Sequence, residues 1–465
     1  MVSNLASKAE KHMVWNIRYL HMLVARCITK KLTVISKHYT LRKIKASVYQ
    51  YFLFLFTVFF VCFVIVGCNV KANIQTITDI QPTVLLISFD GFRWDYLTKA
   101  DIPNLDNLIA DGVKAKSLIP VFPSKTFPNH YTIVTGLYTD NHGIIANTMY
   151  DPEFDATFTL QDRKAVEDGR WWGGEPLWVT AEKQGQITAS MFWPGSEAEI
   201  KGIRPTYWKR FDRNFSYDQR VDQVLSWFSL KVENRPTFIT LYFEGTDTQG
   251  HINGPESPQV KAAIREVDNA LGILLNGLKQ RGIYENVNII IVSDHGMTSI
   301  NPKKTIFIDD YVDLSDVEII DWSPVTGLRP SQSNNEKVYN SLVNAHPNLT
   351  IYRKKEIPEH FHYRNHRRIA PIIAVADEGW SISSHSWLTG GKAFLKGTHG
   401  YDYRLPSMHG IFIASGPDFK QGLVIESFQN IHIYNLIAHI LGLKPAPNDG
   451  DFNLIQSTLN SEQSE

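Results

Sequence analysis

Acidic and histidine residues recur where apolar runs end. Asp90 closes Thr83–Phe89 (TVLLISF), Asp247 lies just past Phe238–Phe243 (FITLYF), and Asp294-His295 follows Asn288–Val292 (NIIIV) after Ser293. His251 stands four residues after Asp247, a spacing that puts both on one face if a helical turn begins there. His399 sits in the glycine-flanked stretch GTHGYD. Carboxylate and imidazole are good ligands for zinc-type ions, at about 2.0–2.2 Å. Taken singly, Asp-Gly is a turn, Asp-His-Gly a polar loop and Asp-x-x-x-His a solvated face. Two Asp/His clusters and a third Asp at one sheet edge instead suit a pair of divalent ions. Thr126 supplies a candidate nucleophile. A threonine hydroxyl attacks poorly unless its pKa is lowered or its proton removed, and a helix N-terminus beside a bound cation provides both conditions. Alone, the tripeptide Thr126-Phe127-Pro128 reads as an ordinary helix start.

The elements that must carry these residues can be read from periodicity. Thr83–Phe89 ends at Asp90-Gly91, as a buried parallel strand does when it delivers a residue to the carboxyl edge of a sheet. Phe238–Phe243, Asn288–Val292 and Ile411–Ala414 read as further strands. Asn104–Asp111 has helical spacing. Thr126 opens a helix as its cap, with Pro128 in the first turn and Thr135-Gly136 past the end. Val260, Ile264, Val267, Leu271, Leu274, Leu275 and Leu278 form one apolar helical face, and Ile431–Leu441 is a closing helix. Strands alternating with helices predict an α/β fold around a mostly parallel sheet. Residues 302–395 break the rhythm and predict an inserted α+β lobe.

Charge separates two objects within the 465 residues. Lys+Arg and Asp+Glu are both 47, which excludes a uniformly basic nucleic-acid binder. Yet residues 1–50 hold ten Lys/Arg and a single acid, Glu10, for a net +9, so the remainder is −9. All three cysteines, Cys27, Cys62 and Cys68, precede residue 69, so the rest can form no internal disulfide. Residues 51–67 are apolar and uncharged, about the length that crosses a bilayer as a helix. The basic flank should stay cytoplasmic, which exports residues 69–465. Residues 1–50 are thus expected to be a basic N-terminal segment, 51–68 a signal or anchor, and 80–455 the catalytic domain. Delivery is either as an uncleaved anchor or by a signal peptide whose start lies downstream of Met1. Ile65-Val66-Gly67-Cys68 has the form of a lipobox, and its alternative is a cysteine that merely ends an apolar helix. An extracytoplasmic, membrane-tethered or exported enzyme is expected.

Taken together, LLISFDGFRWDYL, PVFPSKTFPNHYTIVTGLYTDNHGIIANTMYDP, RWWGGEPLWVTAEKQG, MFWPGSE, TLYFEGTDTQGHINGP, IIVSDHGM and THGYD resemble the nucleotide pyrophosphatase/phosphodiesterase family of the alkaline phosphatase superfamily. The resemblance implies that superfamily's three-layer fold. It also implies two Zn²⁺ ions, one held by Asp247, His251 and His399, the other by Asp90, Asp294 and His295. Thr126 would bridge toward the second as nucleophile. Asn147 would hydrogen-bond a non-bridging phosphate oxygen, Phe127 and Phe211 would stack on a nucleobase, and Tyr242 would line the same pocket. Phe211 has core packing as its alternative, given Tyr207, Trp208 and Phe215 nearby. Where some animal relatives carry lysine before Gly-Glu-Pro, this chain has Gly173, which removes a base-contacting ammonium. The absence of cysteine after Cys68 resembles the compact bacterial members.

These implications describe a hydrolase that releases nucleoside 5'-monophosphates from small nucleotide substrates through a covalent threonine intermediate, with no stable nucleic-acid partner. Two other readings stand beside it. One keeps the site but acts on phosphomonoesters, phosphonates, or lipid or choline phosphodiesters. The other is a catalytically inactive binding domain, which should lack ligands that are all present here.

Overall fold

The computed structural model describes residues 76–389 and 394–460, together with Phe54. In chain order, strand β1 (Thr83–Phe89) leads to helix α1 (Pro103–Ala110), strand β2 (Val113–Ala115) and helix α2 (Thr126–Thr135). Strands β3 (Thr188–Met191) and β4 (Tyr207–Trp208) precede helix α3 (Tyr217–Phe228), strand β5 (Phe238–Phe243), helix α4 (Gly245–Asn253), helix α5 (Pro258–Gln280) and strand β6 (Val287–Val292). The inserted lobe comes next, with β7 (Val317–Ile319), β8 (Val325–Pro330), helix α6 (Asn335–Leu342), β9 (Leu349–Arg353) and β10 (Ile372–Ala376). Strands β11 (Phe412–Ser415) and β12 (Leu423–Ile425) and helix α7 (Ile433–Ile440) return to the main body.

The main sheet has eight strands in the order β12-β2-β11-β6-β1-β5-β3-β4. β1 pairs in parallel with β5 and β6, β3 with β5 and β4, and β12 with β2. β11 alone runs antiparallel, against β6 and β2. The mostly parallel sheet agrees with the alternation of elements in the sequence.

Alternation along β1 explains the layering. Val84 and Leu86 join Tyr131, Ile133 and Val134 of α2 and Leu436 of α7 on one face. Leu85, Ile87 and Phe89 join Leu105 of α1, Val221 of α3 and Ile264, Val267 and Leu271 of α5 on the other. Side chains two apart share a face, so a strand buried at every position must be covered twice, and three layers result. α5 forms where its apolar spacing predicts: Ser257 accepts the Val260 N–H, Pro258 occupies the first turn, and the stripe from Val260 to Leu278 is buried.

The lobe is an antiparallel sheet, ordered β7-β8-β10-β9, with α6 and its own core. Ion pairs tie it to the main body, among them those of Arg367 with Asp151 and Glu153. Lys125 pairs with Asp321. Arg368 Nε meets Asp151 Oδ2 at 2.6 Å, with both side chains buried.

Thr126 is the first residue of α2 rather than the cap expected from its residue type. Lys125 occupies the cap with extended backbone (φ −111°, ψ 157°) and no side-chain cap bond forms. The Thr126 hydroxyl faces His295 instead, a tertiary contact that takes the place of the local one. Residues 1–50 and the apolar run 51–68, apart from Phe54, lie outside the described residues. Among the described residues no helix is long and apolar enough to cross a membrane.

Candidate active site

The carboxyl ends of β1, β5 and β6 lie side by side, and each hands over an acid. Asp90 follows β1 and Asp294 lies two residues past β6. Asp247 lies in the first turn of α4, which starts two residues past β5. α4 then places His251 one turn on, with its Nε2 at 3.3 Å from Asp247 Oδ1. His399 arrives from the loop after the lobe, its Nε2 at 3.6 Å from the same oxygen. His295 Nε2 stands 2.9 Å from Asp294 Oδ2 and 3.5 Å from Asp90 Oδ1, and its ring stacks on His399 at 3.5 Å. The Thr126 hydroxyl is 3.2 Å from His295 Nε2.

The donor set fits cations. His251, His295 and His399 each place Nδ1 at 2.8–2.9 Å from a backbone carbonyl, those of Gly397, Gly296 and Ser124. A carbonyl only accepts, so Nδ1 carries a proton and it is Nε2 that faces the cluster, the orientation that metal-ligating histidines adopt. Asp90 Oδ1, Asp247 Oδ1 and Asp294 Oδ2 are buried without a hydrogen-bond donor, which is costly unless a positive charge sits among them. Ligand atoms of Asp247, His251 and His399 lie within 4.8 Å of one another, as do those of Asp90, Asp247 and His295, and those of Asp90, His130 and Asp294.

Electrostatics report the same crowding. Burial, reinforced by the Asp294 and Asp247 carboxylates, raises the Asp90 pKa well above the usual range. Burial also acts to raise Asp247, but His251 outweighs it and brings it down to about 2. For His251, burial favours the neutral ring and Asp247 overrides it, lifting the pKa to about 9. Burial and the neighbouring His295 hold His399 low.

Beside the cluster opens a cleft of about 490 Å³ lined by Asp90, Thr126, Phe127, Asn147, Phe211, Tyr242, Asp247, His251 and His399 among others. Its mixed walls and size suit a small organic anion. Asn147 Oδ1 accepts the Phe127 N–H at 3.0 Å, which leaves its NH₂ group as the donor. Tyr242 donates to Asp90 Oδ2 at 2.5 Å, so it touches an acid of the cluster as well as lining the cleft. Phe211 faces Phe192 at 5.1 Å and Tyr242 at 6.0 Å. Phe127 packs on Phe158 and Trp172.

Residues 84–402, more than half of the chain, match the family described as type I phosphodiesterase / nucleotide pyrophosphatase. The chain belongs to this family. This phosphodiesterase-family chain is 39% identical over 402 residues to ectonucleotide pyrophosphatase/phosphodiesterase family member 5 of Homo sapiens, covering 86% of this chain and 83% of that one. It is 41% identical to the bis(5'-adenosyl)-triphosphatase ENPP4 of Homo sapiens over 379 residues, 81% of each. An uncharacterized pyrophosphatase/phosphodiesterase of Schizosaccharomyces pombe is 42% identical, over 80% of this chain and 79% of that one. Among solved structures, murine ectonucleotide pyrophosphatase/phosphodiesterase 5, an inactive threonine-to-alanine form in complex with AMP, superposes with TM-score 0.78 at 40% identity, covering 82% of this chain and all of that one. The fold is therefore the alkaline-phosphatase-like one of these relatives, and the chain is a hydrolase of the phosphodiesterase/nucleotide pyrophosphatase class. These relatives are animal and fungal, whereas the lack of late cysteines resembled bacterial members.

Several residues of this family member escaped the sequence. His130 is fully buried, with Nδ1 at 2.9 Å from the Thr126 carbonyl and 3.2 Å from Asp294 Oδ2, and Nε2 at 2.7 Å from Ser88 Oγ. Its position four residues after Thr126 on one helix was the available signal. Arg163, Glu197, Arg213 and Glu244 also line the cleft. Gly173 is not among the lining residues. Its N–H donates to the His142 carbonyl, and a Cβ there would come within 2.8 Å of that oxygen. The cleft's cations are instead Arg163 and Arg213.

Proposed function

We infer that this chain is a two-zinc nucleotide pyrophosphatase/phosphodiesterase that releases nucleoside 5'-monophosphates through a covalent intermediate on Thr126. The observation that carries this reading is the convergence of three donor-less carboxylate oxygens and three outward-facing imidazole nitrogens beside a hydroxyl at a helix start, at the mouth of an aromatic-walled cleft. Asp247, His251 and His399 form one ligand set and Asp90, Asp294 and His295 the other. When bound, Zn²⁺ supplies charge for the phosphate oxygens and lowers the pKa of the Thr126 hydroxyl.

The remaining work falls to the chain. Deprotonated Thr126 attacks phosphorus in line; the new Oγ–P bond forms as the bond to the leaving oxygen breaks, expelling an alcohol or pyrophosphate. Water then attacks from the opposite side, breaks the Oγ–P bond and releases the monophosphate. Asn147 donates its NH₂ to a non-bridging oxygen, where charge accumulates. The α2 N-terminus adds its dipole behind Thr126. Phe127 and Phe211 hold the base, a contact worth roughly 1–3 kcal/mol. The AMP held by the murine relative supports a nucleotide as the occupant. The domain at 80–455 carries this activity, and the basic segment with the apolar run to residue 68 delivers it outside the cytoplasm, by membrane anchor, signal peptide or lipid.

Product analysis with ATP tests the reading. AMP plus pyrophosphate, abolished by chelation and restored by zinc, is expected. ADP plus phosphate, or full diesterase activity after metal removal, contradicts it.

A further inference from the structure

The cleft has two functional walls that belong to different elements. One is aromatic, with Phe211 resting on Phe192. The other is α4, which carries Asp247 in its first turn and His251 in its last. Between them lies Arg220 of α3, fully buried. Its Nη1 and Nη2 donate to the two carboxylate oxygens of Glu244 at 2.6 and 2.9 Å. Nη1 also donates to the Tyr242 carbonyl at 2.8 Å, and Nε to the Phe215 carbonyl at 3.1 Å. The guanidinium lies 5.1 Å from the ring centres of both Phe192 and Tyr217.

Each contact reaches a part of the site. Glu244 is the cap residue of α4 and lines the cleft. Tyr242 donates to Asp90. Phe215 lies near the end of the loop between β4 and α3 that carries Phe211. Phe192 sits at φ 68°, a left-handed backbone that a bulky aromatic rarely holds without support. A bidentate, planar guanidinium is the group able to make all these contacts at fixed angles.

We propose that Arg220 is a positioning residue that locks the aromatic wall of the base pocket to the metal-bearing helix α4, so that base binding and metal binding depend on the same buried fork. The proposal rests on the reading of the cleft as a nucleotide and zinc site. It assigns to Arg220 no contact with substrate.

The test uses the full chain with Arg220→Met, Arg220→Lys and Glu244→Gln. AMP affinity is measured by equilibrium dialysis, zinc affinity by competition with a chromophoric chelator, and the folded fraction by near-UV circular dichroism. Arg220→Met should weaken zinc by about tenfold or more, as for partners that orient metal ligands, and weaken AMP as well. Its KM for p-nitrophenyl-TMP should rise more than its KM for bis(p-nitrophenyl) phosphate, which has no base. Arg220→Lys, keeping the charge without the fork, should recover only part of both. Arg220→Met that binds AMP and zinc like wild type, or loses both only in proportion to its unfolded fraction, overturns the proposal. If Arg220→Met does not fold, Glu244→Gln decides: the same paired loss supports the proposal, and wild-type affinities overturn it. A wild-type chain that binds neither AMP nor zinc would instead remove the functional reading on which the proposal rests.

Discussion

Each of the three histidines in the cluster has its Nδ1 proton committed to a backbone carbonyl, and Asp247 accounts for what happens at the other nitrogen of His251. Burial lowers the pKa of that imidazole, yet the Asp247 carboxylate lifts it to about 9. In the metal-free protein His251 therefore stays protonated at neutral pH, and its pairing contributes stability that is complete below the ordinary value of 6.5 and lost as pH rises through about 9. Zinc must displace that proton. Calorimetry in buffers of different ionisation enthalpy should show on the order of one proton released from this group at pH 7, falling to about a tenth of a proton by about pH 10. Zinc binding without a pH-dependent proton count would contradict the assignment of His251 as a ligand. Thr126→Ala should lower diesterase turnover by about 10³-fold or more while AMP and zinc still bind. Comparable turnover in that variant would exclude Thr126 as nucleophile. At this scale Asp90, Asp247, Asp294, His295 and His399 stood out in the sequence because each lies close to the end of an apolar run or beside a glycine. His130 did not, because its role depends on the Asp294 carboxylate, which is distant in the chain.

Elements carry the next constraint. β1 ends just before Asp90, and Gly91 follows with φ 63°. A Cβ at Gly91 would stand 2.9 Å from the Cα of Asp247. Any side chain there meets the strain of left-handed backbone and a backbone atom that cannot swing away. Gly91→Ala should cost roughly 1–2 kcal/mol from backbone strain alone and should also weaken zinc, since it separates Asp90 from Asp247. Chemical denaturation and a zinc titration measure the two effects; unchanged zinc affinity would show that the close approach is irrelevant to the site. The strands themselves were legible, since β1 and β5 occupy the spans that the apolar runs predict. The direction of β11 was not. Ile411–Ala414 reads as a strand from composition, but its antiparallel pairing with β6 follows from the route the chain takes back from the lobe. The cap of α2 was misplaced for a related reason: threonine favours caps in general, and here His295 engages the hydroxyl instead.

The whole molecule shows how the lobe is tied to the catalytic layer. Arg368 donates to Asp151 and to the carbonyls of Gly143 and Trp171, reaching from the lobe into the segment around Asn147. Both partners of the ion pair are buried, and Arg367 also pairs with Asp151, its Nη2 at 2.8 Å from Oδ2, so removing Arg368 leaves the acid one cation and the Gly143 and Trp171 carbonyls without this donor. Arg368→Met should destabilise the protein by about 1–3 kcal/mol, read from the denaturation midpoint, and a loss well below about 1 kcal/mol would show that the lobe is held by other contacts. Charge also acts at this scale. Residues 51–465 carry a net −9, and the site gathers three buried carboxylates. Arg163 and Arg213 bring positive charge to the cleft, and bound cations would add more beside the three carboxylates.

The sequence by itself determined the residue types of the cluster, the strands that deliver them and the family, because these depend on residue identity and on periodicity within about a dozen positions. Residue type and spacing alone could not determine which of these side chains meet. Asp90, Asp247 and Asp294 come together because β1 lies between β5 and β6, and strand order is a property of long-range pairing. Burial then does what composition cannot show: it strips the carboxylates of water, sets their mutual repulsion and places Arg220 where a single guanidinium reaches both walls of the cleft.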